Sequence, residues 1–236
     1  MSNTRGSAIC LLLLLSALPS STSAQTVDDI GQWNALFSQD RFSPDSRLKW
    51  WFDGHYRLFD DTDGFGQSIV RPGIGFDICE NSALWAGYGW IRTSPIRGDD
   101  IDEHRIWQQW TWSRSAAPFK VAARTRFEQR LIESAGDTGL RLRQFVRAQK
   151  DLGPGPCSTR TFVVWDELFI ALNDTDWGQR SGFDQNRIFV GFGFKKHHSS
   201  TWRVEVGYMN QSINQRGPID RSNHVLACNV FRSPQK

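Results

Sequence analysis

Residues 121–131 read VAARTRFEQRL, and their side chains alternate between two chemically different faces. Charged residues occupy every second position in one run: Arg124, Arg126, Glu128 and Arg130. The other face is mostly apolar: Val121, Ala123, Thr125, Phe127 and Leu131. A period of two is the period of a β-strand, because successive side chains point to opposite faces. The stretch therefore predicts an extended strand with one charged face and one apolar face.

The same alternation recurs along the chain and predicts ten consecutive strands. They are Arg47–Phe59, Gln67–Cys79, Ala83–Thr93, Ile101–Ser113, Val121–Leu131, Leu140–Ala148, Arg160–Leu172, Gln185–Lys195, Thr201–Gln211 and Asn223–Phe231. Strands that cross an outer membrane have ~9–11 residues, whereas strands of soluble sheets have ~5–6. Longer loops alternate with mostly shorter turns, which is typical of an up-and-down barrel with both chain ends in the periplasm. The predicted fold class is all-β, an antiparallel up-and-down transmembrane β-barrel.

The first 24 residues have the composition of a secretory signal peptide. Arg5 gives a basic start, an apolar run follows from Ala8 to Leu18, and small residues precede a cleavage site after Ala24. The run is too short to span a bilayer, which requires ~20 apolar residues. The expected organisation is a signal peptide over 1–24, an N-terminal segment over 25–46, the barrel over 47–232 and a tail over 233–236.

The N-terminal segment has an alternation of its own, with Trp33, Ala35 and Phe37 at every second position. It predicts either an additional strand over Ile30–Phe37 or a plug. Single-chain bacterial barrels have even strand counts. An additional strand would need an overlooked partner and would give twelve strands, so ten closed strands are favoured.

Alternation alone does not say which face points into the barrel. A soluble, lipocalin-like barrel would place the apolar face inside and the arginines in water. Strand length, mixed charge signs and two aromatic belts favour the opposite arrangement. The aromatic girdle consists of Trp50, Trp110, Trp112 and Trp202 near the predicted periplasmic ends, and of Tyr56, Trp90 and Tyr208 near the outer ends.

With this orientation the charged face becomes a narrow polar lumen in which arginines meet carboxylates. Buried charge is tolerated when it is paired and hydrogen-bonded, and the planar guanidinium group can bridge several carboxylates. The predicted lumen network, structural or pore-lining, is Arg57, Arg71, Glu103, Arg105, Arg124, Arg126, Glu128, Arg130, Arg141, Arg143, Glu167, Arg187, Arg203 and Glu205.

Several ordered motifs resemble a known bacterial family. They are Glu103-His104-Arg105 with Gln108-Gln109, Arg124-x-Arg126-Phe127-Glu128-Gln129-Arg130, Arg141-Leu142-Arg143, Asp166-Glu167-x-Phe169, Gln185-Asn186-Arg187 and Glu205-Val206-Gly207-Tyr208. In this order they resemble the uncharacterised DUF2490 proteins, over most of the chain after the signal peptide. The resemblance implies an exported outer-membrane β-barrel, and it implies no established activity or catalytic residues.

Three cysteines follow the signal peptide, namely Cys79, Cys157 and Cys228. An odd number in an exported chain does not make a complete disulfide framework. A bridge between Cys79 and Cys228 stays open as an alternative, and free buried thiols are favoured.

The functional expectation is a bacterial outer-membrane barrel with a structural or envelope-associated role. Its expected partners are outer-membrane lipid, lipopolysaccharide and the barrel-assembly machinery. One alternative is a small anion-selective pore, because rings of basic residues favour anions. The second alternative is a lipid-modifying enzyme built on His224 with Ser222 and Asn223, or on His55. Nothing in the spacing singles these residues out, so no catalytic residue is assigned.

No cofactor, metal ion or nucleic acid is expected. The pair His197-His198 lies in a short turn, and adjacent residues rarely converge on one metal ion. The formal net charge of +3 gives no argument for nucleic-acid binding.

Overall fold

A computed structural model describes residues 25–59, 64–95, 98–155, 158–196, 201–215 and 219–232. Within these ranges the chain forms a closed barrel of eleven strands. The strands are β1 (Gln25–Arg41), β2 (Leu48–Phe59), β3 (Gly64–Cys79), β4 (Ser82–Thr93), β5 (Ile101–Ala116), β6 (Phe119–Ile132), β7 (Gly139–Pro154), β8 (Ser158–Ala171), β9 (Gly182–Lys196), β10 (Trp202–Ile213) and β11 (Ile219–Arg232). The described ranges contain no helix long and apolar enough to cross a membrane.

The sheet closes through β1, which lies between β2 and β11. β1 is antiparallel to β2 and parallel to β11, and every other neighbouring pair is antiparallel. The predicted all-β closed barrel is confirmed, and each of the ten predicted strands overlaps one of β2–β11. The predicted count of ten is wrong, as are the alternative of twelve and the purely antiparallel sheet. The segment Ile30–Phe37 lies in β1, which pairs with β2 on one side and with β11 on the other. It therefore adds one strand to the predicted ten and needs no additional partner.

The odd number of strands also places the two ends of the barrel chain on opposite sides. The connections that follow β2, β4, β6, β8 and β10 meet at one end, here named the loop end, and the other connections meet at the turn end. β1 begins at the loop end, whereas β11 ends at the turn end. The expectation that both ends of the barrel lie on one side is therefore wrong.

Side chains alternate between a packed interior and an apolar outer wall, as the strand period requires. The interior holds the fully buried charged residues Arg126, Glu128 and Glu205. The outer wall exposes large apolar side chains on most strands, and Ile74 and Phe192 are 63% and 49% exposed. The barrel is thus charged inside and apolar outside.

Tryptophan occurs on both faces of the wall. The tryptophans of the predicted girdle all face outward. A second set of tryptophans points into the barrel: Trp33, Trp51, Trp85, Trp107 and Trp165. These indoles build two apolar clusters inside the ionic lumen, one around Trp33 and one around Trp107. The interior is therefore mixed, with aromatic rings packed between guanidinium groups.

Trp107 packs directly on glycine backbone. Its fully buried ring lies over Gly73 of β3 and Gly87 of β4, which are paired across the two strands. A methyl group at Gly87 would overlap the indole of Trp107 and the carbonyl oxygen of Pro72. Glycine is needed here because the backbone and a large ring approach each other closely.

We expect Gly87→Ala to lower the free energy of unfolding by about 1–3 kcal/mol, because overpacking forces ring and backbone apart. The measurement is urea unfolding of the refolded protein in neutral detergent. Gly54→Ala on β2 is the matched control, since a methyl group there would make an ordinary contact of 3.6 Å with Phe52. Equal unfolding midpoints for the two variants would contradict the packing of Trp107 on Gly87.

Cys79 and Cys228 are free, so the alternative disulfide does not form. The reason is topological, because β1 and β2 stand between β3 and β11. Three strand spacings of ~4.8 Å exceed the reach of a disulfide, whose Cα atoms lie within ~7 Å. Cys157, His197, His198, the signal peptide over 1–24 and the tail over 233–236 lie outside the described residues.

Candidate functional site in the lumen

All residues of the predicted lumen network face the inside of the barrel. Most of them are buried, and the others line the two internal cavities described below. The strand period explains this placement, since network residues on one strand are separated by even numbers of positions. Their assignment as a structural or pore-lining network remains a prediction.

Glu128 is the centre of the network. Its carboxylate accepts hydrogen bonds from Arg141 Nη2 at 2.7 Å and from Arg143 Nη1 at 2.6 Å. Arg126 Nη1 lies 3.8 Å away, and its guanidinium group stacks 4.5 Å from the ring of Trp107. All charges here are removed from water, so each depends on its partners.

The other predicted carboxylates also hold two arginines each. Glu103 pairs with Arg105 at 2.7 Å and with Arg130 at 2.6 Å. Two similar groups follow: Glu167 with Arg124 and Arg143, and Glu205 with Arg147 and Arg203. Because every acid bridges two bases from different positions, these ion pairs cross-brace the inner wall.

Two further acids belong to the network and were absent from the predicted set. Asp53 is fully buried and binds Arg71 through both oxygens, at 2.7 and 2.9 Å. Asp184 at the loop end pairs with Arg141 at 3.0 Å. Asp53 shares the charged face with Arg57, so the alternation of β2 held the signal needed to find it. Arg147, which holds Glu205, is likewise on the charged face of β7, so the alternation of that strand indicates its position too.

Two arginines are not neutralised by this pairing. In the described part of the chain, no salt bridge joins Arg57 or Arg187 to a carboxylate. Arg57 donates from Nη1 to Gln67 at 2.7 Å, while Arg187 donates from Nε and Nη2 to Gln185. Both guanidinium groups stack on Trp33, at 3.8 and 4.9 Å from its ring. The lumen thus has a positive centre.

This positive centre separates two internal cavities. The turn-end cavity has a volume of about 440 Å³ and the loop-end cavity one of about 610 Å³. The residues that line both cavities form a septum, defined as Trp33, Arg57, Arg71, Arg143 and Arg187. The two cavities therefore share a border of four arginines and Trp33.

The connection 172–181 folds against the loop-end rim. Gln179 is buried and accepts a hydrogen bond from Arg130 Nη1 at 3.1 Å. Trp177 stacks 4.8 Å from the same guanidinium group and donates from its indole to the carbonyl of Asp137 at 2.9 Å. The loop is thereby attached both to the lumen network and to the neighbouring connection.

The predicted girdle residues lie on the outer wall. Trp50, Trp110, Trp112 and Trp202 are near the turn end, and Tyr56, Trp90 and Tyr208 are toward the loop end. Two loop-end members carry polar partners, since Tyr208 is hydrogen-bonded to His224 at 2.6 Å and Trp90 to Asp102 at 2.9 Å. An apolar ring with a hydrated tip suits a boundary between apolar and aqueous surroundings.

The residues considered for an enzyme do not assemble into a catalytic group. Ser222 and His224 face outward, whereas Asn223 between them is buried in the lumen. His224 contacts Tyr208 and Asp28, while Ser222 accepts a hydrogen bond from Asn210. His55 lies inside, 2.8 Å from Arg71. Among the described residues, no hydrogen bond joins either histidine to a serine.

The fold and the site define a class of protein, a closed β-barrel with an ionic and aromatic lumen. The chain belongs to the DUF2490 family, because the family model "Protein of unknown function (DUF2490)" matches residues 30–223. It is also similar to an uncharacterized protein of Methylorubrum extorquens, with 33% identity over 220 residues that cover 93% of this chain and 94% of that protein. No solved structure matches the chain. The match begins within β1, so the family region includes the strand that closes the barrel.

Proposed function

We propose that this protein is an integral outer-membrane β-barrel whose braced lumen holds the wall rigid and does not form an open channel. The observation that carries the proposal is the sidedness of the wall. Large apolar side chains are exposed outside, and charged groups are enclosed and paired inside. Strands of 12 to 17 residues can cross the ~25 Å apolar band of such barrels, even when tilted.

Polar side chains on the outer wall support the proposal, because they are paired with one another. Thr125 donates to Gln144 at 2.7 Å, and Asn210 donates to Ser222 at 2.9 Å. Gln108 and Gln129 are paired in the same way across β5 and β6. A polar group in lipid is costly unless a neighbouring group satisfies it, and these cross-strand pairs supply that neighbour.

A small anion-selective pore is the second candidate. The observation in its favour is the surplus of positive charge at Arg57 and Arg187, which lie where the two cavities meet. Rings of basic residues favour anions in other pores. The septum and the acid bridges at Glu103, Glu128 and Glu167 favour a closed lumen over this alternative.

We expect the refolded wild-type protein to be silent in planar bilayers, because the septum blocks the lumen. The double variant Arg57→Ala/Arg187→Ala should give ohmic steps, since it removes two septum side chains without leaving a salt-bridged carboxylate unpaired. Anion-selective steps from the wild type would establish the pore instead. Silence of both proteins, at equal recovery in the bilayer, would contradict the septum as the block in the lumen.

A further inference from the structure

We propose that the turn-end cavity is a binding site for an aromatic carboxylate. In this arrangement Arg57 and Arg187 bind the carboxylate, and the aromatic rings of the cavity bind the apolar body. This inference goes beyond the proposed role as a closed barrel, and it depends only on the lumen. The lumen has the same chemistry whether or not the outer wall contacts lipid.

The anionic half of the ligand is defined by the two arginines without carboxylate partners. Arg57 is 6% exposed and Arg187 is 9% exposed, so both charges are held away from water. Arg57 Nε is buried and has no hydrogen-bond partner. A buried guanidinium group is stabilised by a carboxylate that accepts its N–H groups. Since no carboxylate of the described residues lies within salt-bridge distance of either group, an anionic ligand would complete the site.

The neighbouring arginines are not expected to bind the ligand carboxylate, because each already has a carboxylate partner in the protein. Arg71 is neutralised by both oxygens of Asp53, at 2.7 and 2.9 Å. Arg143 is held between Glu128 at 2.6 Å and Glu167 at 2.7 Å. Both residues line the cavity, but their charges are already paired with carboxylates.

The apolar half of the ligand is defined by the rest of the lining. Aromatic side chains cover much of the turn-end cavity: Trp33, Phe37, Trp51, Phe145, Trp165 and Phe231. Trp165 stacks on Phe189 with ring centroids 5.2 Å apart, and Phe145 lies 5.6 Å from Trp165. A bare inorganic anion would cover little of the ring surface that faces the cavity, whereas a planar ring would pack against it. The volume of about 440 Å³ lies in the usual range for organic ligands, ~300–1,000 Å³.

The rims of the barrel carry charge that would direct an anion to this cavity. Exposed basic residues outnumber the exposed acids Asp45 and Glu80 at the turn end: Arg41, Arg47, Lys120, Lys150, Arg160 and Lys195. Exposed acidic residues outnumber the exposed base Arg180 at the loop end: Asp28, Asp99, Asp100, Glu133, Asp137, Asp174 and Asp176. A field of this kind attracts anions to one end and repels them from the other. The turn-end cavity therefore lies at the favourable entrance.

The test is isothermal titration of the refolded protein in neutral detergent with 1-naphthoate. We expect saturable one-to-one binding that weakens at least tenfold in Arg57→Gln and in Arg187→Gln. Neither variant leaves a salt-bridged carboxylate unpaired, so both should fold. Arg180→Gln is the matched control, because Arg180 lies on an exposed part of the 172–181 connection with its side chain 63% exposed.

Two further ligands test the arginines and the rings separately. Neutral 1-naphthalenemethanol lacks the carboxylate, and inorganic phosphate lacks the aromatic body. Weak binding of both, together with tight binding of naphthoate, would support it. Equal binding of the alcohol would show simple apolar partition and overturn the role of the arginines. Equal binding of phosphate would overturn the role of the rings. The proposal is also overturned if naphthoate does not bind, or if Arg180→Gln weakens binding as much as Arg187→Gln does.

Discussion

Replacing Glu128 by glutamine is expected to lower the free energy of unfolding by about 3–5 kcal/mol, the usual cost of removing one partner from a buried ion pair. Glu128 is fully buried and binds Arg141 at 2.7 Å and Arg143 at 2.6 Å. Glutamine keeps the size of the side chain, so the packing is preserved while the negative charge is lost. The two guanidinium groups then remain buried with less compensation, which is why the loss is large.

The measurement is urea unfolding in neutral detergent, followed by heat-modifiable migration and by tryptophan fluorescence. Glu133→Gln is the matched control, because the Glu133 side chain is 64% exposed and its partner His104 is also half-exposed. We expect the control to unfold at the wild-type midpoint. If Glu128→Gln did the same, Glu128 would not be holding buried arginines together.

Replacing Val206 by arginine is expected to have the second largest effect, a loss of about 2–4 kcal/mol for folding into lipid vesicles, which is the cost of an arginine near the middle of the bilayer. Val206 is exposed on the outer wall of β10, between the two girdle residues of that strand, Trp202 near the turn end and Tyr208 toward the loop end. A surface arginine in water costs little, so this large effect arises only where hydrocarbon contacts the wall.

The vesicle measurement therefore distinguishes lipid from water outside the barrel. Asp99→Arg on the exposed connection between β4 and β5 is the control and should fold into vesicles like the wild type. A loss of stability for Val206→Arg in vesicles, absent from the control, supports the proposed membrane location. Unchanged stability of Val206→Arg would place the outer wall at that position in water.

The sequence was sufficient to predict strands β2–β11 because alternation is a local signal. In residues 121–131 the arginines and the apolar side chains separate cleanly between the two faces, and the same holds for most other strands. β1 carries the weaker signal, because Gln32 and Asn34 stand on its outer face beside Leu36. Its pairing was rejected by the even-count rule, which does not hold when first and last strands are parallel.

The sequence predicted which side chains face the lumen, but it did not predict which acid pairs with which base. Alternation indicates that Arg124 and Glu167 both point inward, but it carries no information on which acid meets which base across the lumen. That depends on the closure of the barrel, which brings together residues 43 positions apart in this pair and 58 apart in Arg147 and Glu205. The unpaired positive charge at Arg57 and Arg187 also depends on which acid meets which base, so the sequence could not predict it.

Inward tryptophans were missed because an apolar residue on a charged face looks like an interruption of the pattern. Trp33 and Trp107 show what such an interruption can mean, since each packs against arginine guanidinium groups. A tryptophan in register with arginines along a strand is therefore a signal for stacking inside a lumen.

The parallel seam between β1 and β11 also bears on how the protein folds. It joins positions that are very remote in the chain, with Gln25 beside Ile219. Neighbouring hairpins, including β1 with β2, can form from local contacts. Pairing of β1 with β11 requires the complete chain and has the largest loop-closure entropy, so it is expected to be the slow, final step. Until then β1 and β11 are unpaired edges, and that interval is when two chains can pair with each other and aggregate.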